Sequence, residues 1–440
     1  MDTTSEIVTL NGITLAGVRI GDGTPKNVVV RDGRIHSIDE PGAAPQTPVW
    51  DASGLVMLPG LVDLHTHLRE PGGEESETIS TGSRAAAAGG FTDIFAMANT
   101  SPVTDSVQRW EAVVGASRGA SARVHPVGAI TMGLEGRELS PIRALAQAGA
   151  TVFSDDGKCV DDAGLVRAAM LLAANSDSVI AQHAKHGQLA GNGQINAGHA
   201  SATTGFQPWP GVAEETVIAR DAILAAETGA HLHVCHVSTA RSVEVVRWAK
   251  SQGWPVTAEV TPHHLLLTDE LAALGDTRFK VNPPLRSAHD VMALRDALID
   301  GTIDAVATDH APHARRLKDR PWCEAAFGMT GIETALAVVA HVLENLGALS
   351  WDMLSDRMST APAAIGRISH LAGRPLSAGE QATFTLVNPS APWTMTDDTY
   401  TKSGNTPFLN SVFSKKVTAT AIGGQLTHGA ELFPNQTKGD

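Results

Sequence analysis

The sequence predicts an α/β fold, a (β/α)₈ TIM-type barrel with a small β-sandwich domain built from both termini. The main observation is that apolar runs of strand length alternate with helical stretches through residues 59–365. This alternation is typical of a parallel sheet covered by helices. The second observation is that both ends of the chain instead contain short β segments separated by turns.

The alternating region contains eight candidate strands. The helical stretches 214–228, 239–252 and 290–300 are each followed by glycine, the residue that commonly ends a helix. A doubly wound open sheet would show the same alternation, so the position of the chemically active residues has to decide between the two folds. The candidate strands are 61–67, 92–98, 123–130, 151–155, 179–183, 231–237, 255–260 and 303–308.

The two ends of the chain predict one further domain. Asp22-Gly23 and Asp32-Gly33 are good hairpin turns between short β segments. We therefore expect residues 1–58 and 366–440 to form the β-sandwich, beside a barrel of residues 59–365. The β segments are 7–10, 14–20, 27–31, 34–39, 55–58, 382–387, 417–422 and 424–426.

Composition restricts the possible functions. The chain has 440 residues, 42% hydrophobic and 18% charged, so it can bury a sizeable core. Its formal net charge of −14 argues against nucleic acid as a partner, because phosphate binding needs clustered lysine and arginine.

The expected location is the cytoplasm. Three scattered cysteines, Cys159, Cys235 and Cys323, are too few for a disulfide framework. Residues 1–10 lack the basic and apolar parts of a signal peptide. No run approaches the roughly 20 apolar residues that cross a membrane, so we expect no membrane association.

Candidate metal ligands stand at the carboxyl ends of the predicted strands, where barrel enzymes place their catalytic groups. His65 and His67 are two residues apart, so both imidazoles share one face of the first strand. Such a pair alone is weak evidence, because two polar residues at a strand end give the same pattern. The remaining strand ends add Asp155-Asp156, His183, His236 and Asp309.

These residues form a chemically consistent set. Four histidines and two aspartates suffice to hold two ions. One ion would be held by His65, His67 and Asp309, and a second by His183 and His236, with Asp156 as the bridge. Imidazole and carboxylate groups favour Zn²⁺ or a similar divalent ion. The position of these candidate ligands, at the carboxyl ends of several predicted strands, favours the barrel over the open sheet.

Five sequence runs together resemble class I dihydroorotases of the amidohydrolase superfamily, and the resemblance covers nearly the whole chain. It implies the reversible cyclisation of N-carbamoyl-L-aspartate to L-dihydroorotate, with one or two Zn²⁺ ions per subunit. Many superfamily relatives bridge their metals with a carboxylated lysine; here Asp156 takes that place, and Lys158 is expected to lie in the following loop. The runs are 63–72, 153–157, 235–239, 281–286 and 307–313.

The resemblance and the residues together imply the following roles. A divalent ion lowers the pKa of bound water and polarises a carbonyl, and Asp309 is expected to carry the proton from water to the leaving amide nitrogen. Arg69, Asn99 and His313 are expected to bind the substrate carboxylate, since a guanidinium matches that group. Asn282 and the backbone of 328–331 are expected to hold the amide edges of the ring.

Two other functions compete. A hydantoinase or allantoinase would share the paired histidines and the eighth-strand aspartate, but usually carries the lysine bridge and needs no arginine for a carboxylate. A catalytically inactive homologue would have lost ligands that are present here. We further expect a homo-oligomer, with aspartate transcarbamoylase as a candidate partner because relatives assemble with it. The charged stretch 314–324 is either a mobile lid or a solvated surface loop, and the surface loop is the favoured interpretation.

Overall fold

The computed structural model describes residues 8–42 and 47–433. Within these ranges the strands are β1 (Val8–Thr9), β2 (Ile13–Ile20), β3 (Pro25–Arg31), β4 (Arg34–Asp39), β5 (Val49–Asp51), β6 (Val56–Pro59), β7 (Leu61–Thr66), β8 (Phe91–Ala96), β9 (Arg123–Pro126), β10 (Val152–Phe153), β11 (Val179–Gln182), β12 (Ile195–Asn196), β13 (Pro208–Trp209), β14 (His231–Val234), β15 (Val256–Val260), β16 (Ala305–Val306), β17 (Phe384–Asn388), β18 (Trp393–Thr394), β19 (Val412–Phe413), β20 (Lys416–Ile422) and β21 (Gln425–His428). Ile7 of the predicted first strand lies outside the described residues, as does most of the segment 1–10.

Most of the helices connect the strands of the middle region. They are α1 (Ile79–Ala88), α2 (Val107–Ala116), α3 (Ile142–Ala148), α4 (Ala163–Ala174), α5 (Gly187–Ala190), α6 (His199–Thr204), α7 (Val212–Thr228), α8 (Ala240–Ser251), α9 (Pro262–Leu266), α10 (Asp269–Ala272), α11 (Ala288–Asp300), α12 (Arg315–Lys318), α13 (Ala335–Asn345), α14 (Trp351–Ser355) and α15 (Ala361–Ile365). A π-helical turn, Asp356–Thr360, joins α14 to α15. None of the helices in the described ranges is both long and apolar enough to cross a membrane.

The three predicted helices are confirmed. They are α7, α8 and α11, and their ends differ from the prediction by at most two residues. Gly229 and Gly301 follow α7 and α11 in the left-handed conformation, with φ of 71° and 84°. Glycine adopts this conformation without the steric cost that a Cβ would add.

All eight predicted strands of the middle region form, and they pair in parallel. β7, β8 and β9 make one sheet, and β10, β11, β14, β15 and β16 make a second sheet in that order. Two isolated parallel bridges, Gly128 with Phe153 and Thr66 with His310, lie between the margins of these sheets. Because every strand runs the same way, their carboxyl ends meet on one face of the molecule.

Strands from both ends of the chain make one mixed sheet of nine strands. Its order is β1-β21-β20-β17-β6-β2-β3-β4, with β5 on β2. β6 joins the two halves, since it pairs with β17 on one side and β2 on the other. A separate apolar cluster that includes Leu15, Phe384 and Leu386 fills one face of this sheet.

A buried charged group ties β8 to β9. Asp93 is fully buried, and its two carboxylate oxygens accept hydrogen bonds from Arg123 Nε and Nη2 at 2.8 and 2.7 Å. His125 Nε2 donates to the same carboxylate at 2.8 Å. Burial alone would raise the pKa of Asp93, but the bonds from His125 and Arg123 lower it below the ordinary 3.8.

Replacing Asp93 with alanine is expected to lower the free energy of unfolding by about 3 kcal/mol, because the buried partners lose their counter-charge. Since the pKa of Asp93 is lowered in the folded state, its contribution is present above pH 3.8 and is lost as the pH falls further. Urea unfolding of Asp93→Ala and wild type, followed by circular dichroism, measures the difference.

The control is Arg167→Ala, which breaks a two-bond pair of the same kind with Glu227 at 2.9 and 2.6 Å. Both of these side chains are about half exposed, so their removal is expected to leave stability nearly unchanged. Equal losses in the two variants would show that burial of Asp93 contributes nothing.

The surface-loop interpretation of 314–324 is wrong in part. The segment contains α12, and the side chains of Lys318 and Trp322 are buried. Lys318 Nζ donates to the carbonyl oxygens of Lys280, Ala326 and Gly328 at 2.9, 2.9 and 2.6 Å. A long side chain that finds three backbone acceptors can be buried, and composition alone does not reveal this.

Candidate active site

The predicted metal ligands meet around one carboxylate. Asp156 Oδ1 lies 3.1 Å from His65 Nε2, 3.3 Å from His183 Nδ1 and 3.7 Å from His236 Nε2. Its second oxygen, Oδ2, lies 3.4 Å from His67 Nε2. All five side chains are buried. One carboxylate therefore faces four imidazole nitrogens that come from the ends of three strands, β7, β11 and β14.

Asp309 lies on the His65 and His67 side of this cluster. Its Oδ1 is 3.0 Å from His67 Nε2 and 3.6 Å from His65 Nε2. On the other side, His183 Nδ1 and His236 Nε2 are 2.7 Å apart. The two predicted groups, one with Asp309 and one without, thus both contact Asp156.

The donor set fits a divalent cation. Among the described residues, His65 Nε2 and Asp156 Oδ1 are buried and have no hydrogen-bond partner, although they face each other. Unpartnered buried polar atoms are costly in a folded protein. The ligand atoms of His65, His67 and Asp309 all lie within 4.8 Å of one another, as do those of His65, Asp156 and His236. Four imidazoles and two carboxylates suit zinc.

The electrostatics of the cluster keep its carboxylates ionised. Burial would raise the pKa of Asp156, but the nearby imidazoles, His65 first among them, lower it well below its usual range. The pKa of Asp309 is lowered in the same way, chiefly through its contact with His67. Burial lowers the pKa of His183 to about 4, which leaves its ring neutral and able to coordinate a cation.

The backbone is unusual at three of the predicted site residues. Arg69, His236 and Asp309 have positive φ values of 60°, 32° and 45°. Such a conformation is rare for residues with a side chain and concentrates at functional sites. In each case it directs a charged or polar side chain just beyond a strand end.

Asp155 and Asp156 point in opposite directions, as neighbours in an extended chain do. Asp155 Oδ1 accepts hydrogen bonds from the backbone N–H groups of Ile130 and Thr131 at 2.8 and 2.9 Å. It thus supports the turn after β9, while Asp156 faces the histidines. Lys158 is exposed in the following loop, as predicted.

Asn99 contacts predicted ligands. His67 Nδ1 donates to Asn99 Oδ1 at 3.0 Å, and Asn99 Nδ2 donates to Asp156 Oδ2 at 3.4 Å. The first bond makes Nδ1 the donor to Asn99, so the other ring nitrogen, Nε2, faces Asp309 and Asp156. Asn99 therefore orients ligands, whereas the sequence predicted a contact with substrate, which stays a prediction.

Arg69 and His313 form a second group beside the cluster. Arg69 Nε donates to the carbonyl oxygen of Pro312 at 3.1 Å, and its Nη2 lies 3.4 Å from His313 Nε2. His313 Nε2 also lies 2.6 Å from the carbonyl oxygen of Phe327. Burial lowers the pKa of His313 to about 3, so the ring is neutral. The only charge of this pair belongs to Arg69.

Within the described ranges, the residues predicted to hold the amide edges of the ring make no hydrogen bond with the predicted metal ligands. Asn282 follows β15 by a long segment, and its Oδ1 is buried without a hydrogen-bond partner in the described part of the chain. The N–H of Gly328 donates to Lys280, and the N–H of Gly331 lies 3.3 Å from His310 Nδ1. These two backbone N–H groups are therefore already engaged within the protein.

Sequence reasoning missed two buried carboxylates that support the cluster. Asp63 Oδ1 accepts hydrogen bonds from the backbone N–H groups of Thr308 and His65 at 2.9 and 3.1 Å, which ties β7 to the segment before Asp309. Glu259 contacts His65 and His233. Both carboxylates sit inside apolar runs of strand length, and a charged residue in such a run was the available signal.

Known proteins resemble this chain along nearly its full length. A family model described as "Dihydro-orotase-like" matches residues 54–242. A dihydroorotase of Streptomyces coelicolor is 50% identical over 418 residues, which cover 94% of this chain and 97% of that protein. A dihydroorotase of Mycobacterium tuberculosis is 48% identical over 421 residues, covering 94% and 98%.

Solved structures agree on the fold. An L-hydantoinase from Arthrobacter aurescens superposes with a TM-score of 0.84 at 24% identity, covering 98% of this chain and 97% of that one. A D-hydantoinase from a Thermus species gives a TM-score of 0.83 at 22% identity, covering 97% of both. At this identity the likeness concerns the fold alone.

Proposed function

Because the chain belongs to the dihydroorotase family of cyclic amide hydrolases, we propose that it interconverts L-dihydroorotate and N-carbamoyl-L-aspartate by a metal-dependent mechanism of the class I type. The observation that carries the mechanism is the position of Asp156 among four histidine nitrogens. An aspartate in this place, where many superfamily relatives have a carboxylated lysine, supports the class I assignment.

We assign the predicted ligands to two positions for Zn²⁺. His65, His67 and Asp309 would hold one ion, and His183 and His236 would hold the other, with Asp156 between them. A bound divalent ion supplies a Lewis acid that polarises the scissile carbonyl and lowers the pKa of water. The second position lacks a carboxylate of its own beyond Asp156, so we expect it to be the weaker one.

Asp309 is the proposed acid and base. During hydrolysis its carboxylate accepts a proton from the attacking water and then gives that proton to the ring nitrogen as the amide bond breaks. Its lowered pKa supports the ionised starting form. In ring closure the same group acts in reverse, taking the proton from the ureido nitrogen that attacks.

We propose that Arg69 binds the substrate carboxylate, together with Asn99 and His313. A planar guanidinium next to the cluster can form two parallel hydrogen bonds with a carboxylate. Arg69 Nε donates to the carbonyl oxygen of Pro312, and this bond fixes the orientation of the guanidinium group. We keep Asn282 as a candidate contact for the amide edge of the ring, because its buried Oδ1 has no partner among the described residues.

We infer two features of the architecture. The eight parallel strands close into a (β/α)₈ barrel, which the bridges Gly128–Phe153 and Thr66–His310 support because they lie at both margins between the two parallel sheets. We assign residues 59–365 to this catalytic barrel, and the described parts of 1–58 and 366–440 to the β-sandwich domain. The cytoplasmic location, the homo-oligomer and an association with aspartate transcarbamoylase stay predictions.

Removing the metal is expected to abolish hydrolysis of dihydroorotate, and adding Zn²⁺ back to restore it. The purified protein would be assayed with dihydroorotate, hydantoin and allantoin before chelation, after chelation and after reconstitution, with metal content measured at each step. Turnover of hydantoin or allantoin in place of dihydroorotate would reject the substrate. Full activity in metal-free protein would reject the mechanism, and bound metal without any turnover would favour an inactive homologue.

A further inference from the structure

A continuous column of hydrogen bonds links side chains of β14 and β15 and ends on His65. His231 Nε2 lies 2.8 Å from Thr257 Oγ1, and Thr257 Oγ1 lies 2.9 Å from His233 Nδ1. His233 Nε2 is 2.9 Å from Glu259 Oε2, and Glu259 Oε1 is 2.9 Å from His65 Nδ1. His231 and His233 both belong to β14, the strand that leads to His236.

The strand geometry explains the column. His231 and His233 are two residues apart on β14, so they share one face, and Thr257 and Glu259 share the matching face of β15. His233 is the direct partner of Thr257 in the parallel register. The register thus places imidazole, hydroxyl and carboxylate groups in alternation, from half-buried His231 and Thr257 to buried His233 and Glu259.

The hydrogen bonds to Glu259 have a defined direction. A carboxylate only accepts hydrogen bonds, so both His233 Nε2 and His65 Nδ1 donate to Glu259. His231 Nε2 and His233 Nδ1 both contact the hydroxyl of Thr257, which can accept from one ring and donate to the other. Burial lowers the pKa of His231 to about 3, so this ring is neutral.

The inner end of the column reaches both halves of the metal cluster. Because His65 Nδ1 donates to Glu259, the ring's other nitrogen, Nε2, is the unpartnered atom that faces Asp156. Glu259 Oε1 also accepts a hydrogen bond from the backbone N–H of His236 at 3.3 Å. One carboxylate therefore contacts one residue of each predicted ligand group, His65 and His236.

We propose that Glu259, His233 and Thr257 are positioning residues of the metal centre, which fix the tautomer and the ring orientation of His65 through this column. Thr257 touches none of the proposed ligands, so any effect it has on metal binding passes through His233 and Glu259. Partners of this kind typically change metal affinity by 10- to 100-fold. The inference rests on the metal site proposed above.

The test is the rate at which zinc-loaded protein releases its metal to a chromogenic chelator. Thr257→Val removes the hydroxyl at nearly constant volume and is expected to speed the release about tenfold. Thr257→Ser restores the hydroxyl and is expected to return the rate to that of wild type. The KM for dihydroorotate is expected to stay unchanged in both variants, because Thr257 is remote from the substrate groups.

Thr420→Val is the matched control. Thr420 is buried in the mixed sheet, where its hydroxyl donates to the carbonyl oxygen of Ala87 at 2.7 Å. It removes an equivalent hydrogen bond far from the cluster, so its zinc release is expected to match wild type. If Thr257→Val fails to fold, His231→Leu serves instead, because His231 lines a cavity of about 320 Å³ that can accept the change. It is expected to speed release in the same direction.

Each outcome has one meaning. Faster release in Thr257→Val than in Thr420→Val, with rescue by serine, supports the column as a positioning device. Equal release in the two valine variants, or failure of serine to rescue, overturns it while leaving the proposed function intact. A wild-type protein that binds no divalent cation would overturn both.

Discussion

Replacing Asp156 with asparagine is expected to lower the number of bound metal ions per chain and to reduce dihydroorotate turnover by more than about 10³-fold, a loss of several kcal/mol in transition-state stabilisation. Asparagine keeps the shape of the side chain and removes its charge. The carboxylate lies 3.1 to 3.7 Å from four imidazole nitrogens, so its charge acts on all four proposed histidine ligands.

The chain supplies a control at the adjacent position. Asp155→Asn makes the same chemical change in a buried carboxylate that faces the backbone of Ile130 and Thr131. This variant is expected to keep its metal, even if its unfolding temperature falls. Metal analysis of both proteins after gel filtration, together with their turnover, gives the comparison. Equal metal loss at the two positions would show that Asp156 has no special role.

Replacing Arg69 with methionine is expected to lower kcat/KM for dihydroorotate by about 10²- to 10³-fold, since truncating one partner of a buried charge pair typically costs 2–5 kcal/mol. The metal content is expected to stay that of wild type. Activity toward dihydrouracil, which has the same ring without the carboxylate, is expected to change little. The variant therefore loses its preference for the charged substrate, and the ring chemistry persists.

The control for this prediction is Arg316→Met. Arg316 is an exposed arginine paired with Glu75 at 2.7 Å, and no predicted ligand is its partner. It is expected to leave both substrates unaffected. A variant of Arg69 that loses dihydroorotate and dihydrouracil activity in equal proportion would contradict the assignment and would point to a role in positioning the catalytic groups.

The alternation of side chains along strands made much of this site predictable. His65 and His67 share a face, and Asp155 and Asp156 do not, because successive residues of an extended chain point to opposite sides. All eight strands of the middle region formed where apolar runs predicted them. The sequence could therefore predict which residues approach each other, because parallel strands bring their carboxyl ends to one face.

What the sequence did not reveal depends on contacts between distant segments. In the sequence, Glu259 is a polar interruption of an apolar strand. The structure shows that its carboxylate accepts hydrogen bonds from His65 and His233. Lys318 reads as surface charge until its three carbonyl acceptors are known. The positive φ of Asp309 is likewise a product of the packed fold. A charge inside an apolar run indicates that Glu259 has a partner, but a single sequence does not show that the partners are His65 and His233.

The mixed sheet can be completed only after both ends of the chain have been synthesised, because its neighbouring strands β6 and β17 lie far apart in the sequence. Pro59 and Phe384 are register partners in this sheet, so β6 is made long before the strand that completes its hydrogen bonding. Long-range pairing of this kind folds slowly and leaves strand edges open meanwhile. A ribosome that stops early would release a chain whose first strands have exposed edges, which invite proteolysis or aggregation. An incomplete chain therefore differs from a complete one in the unpaired edges of its first strands.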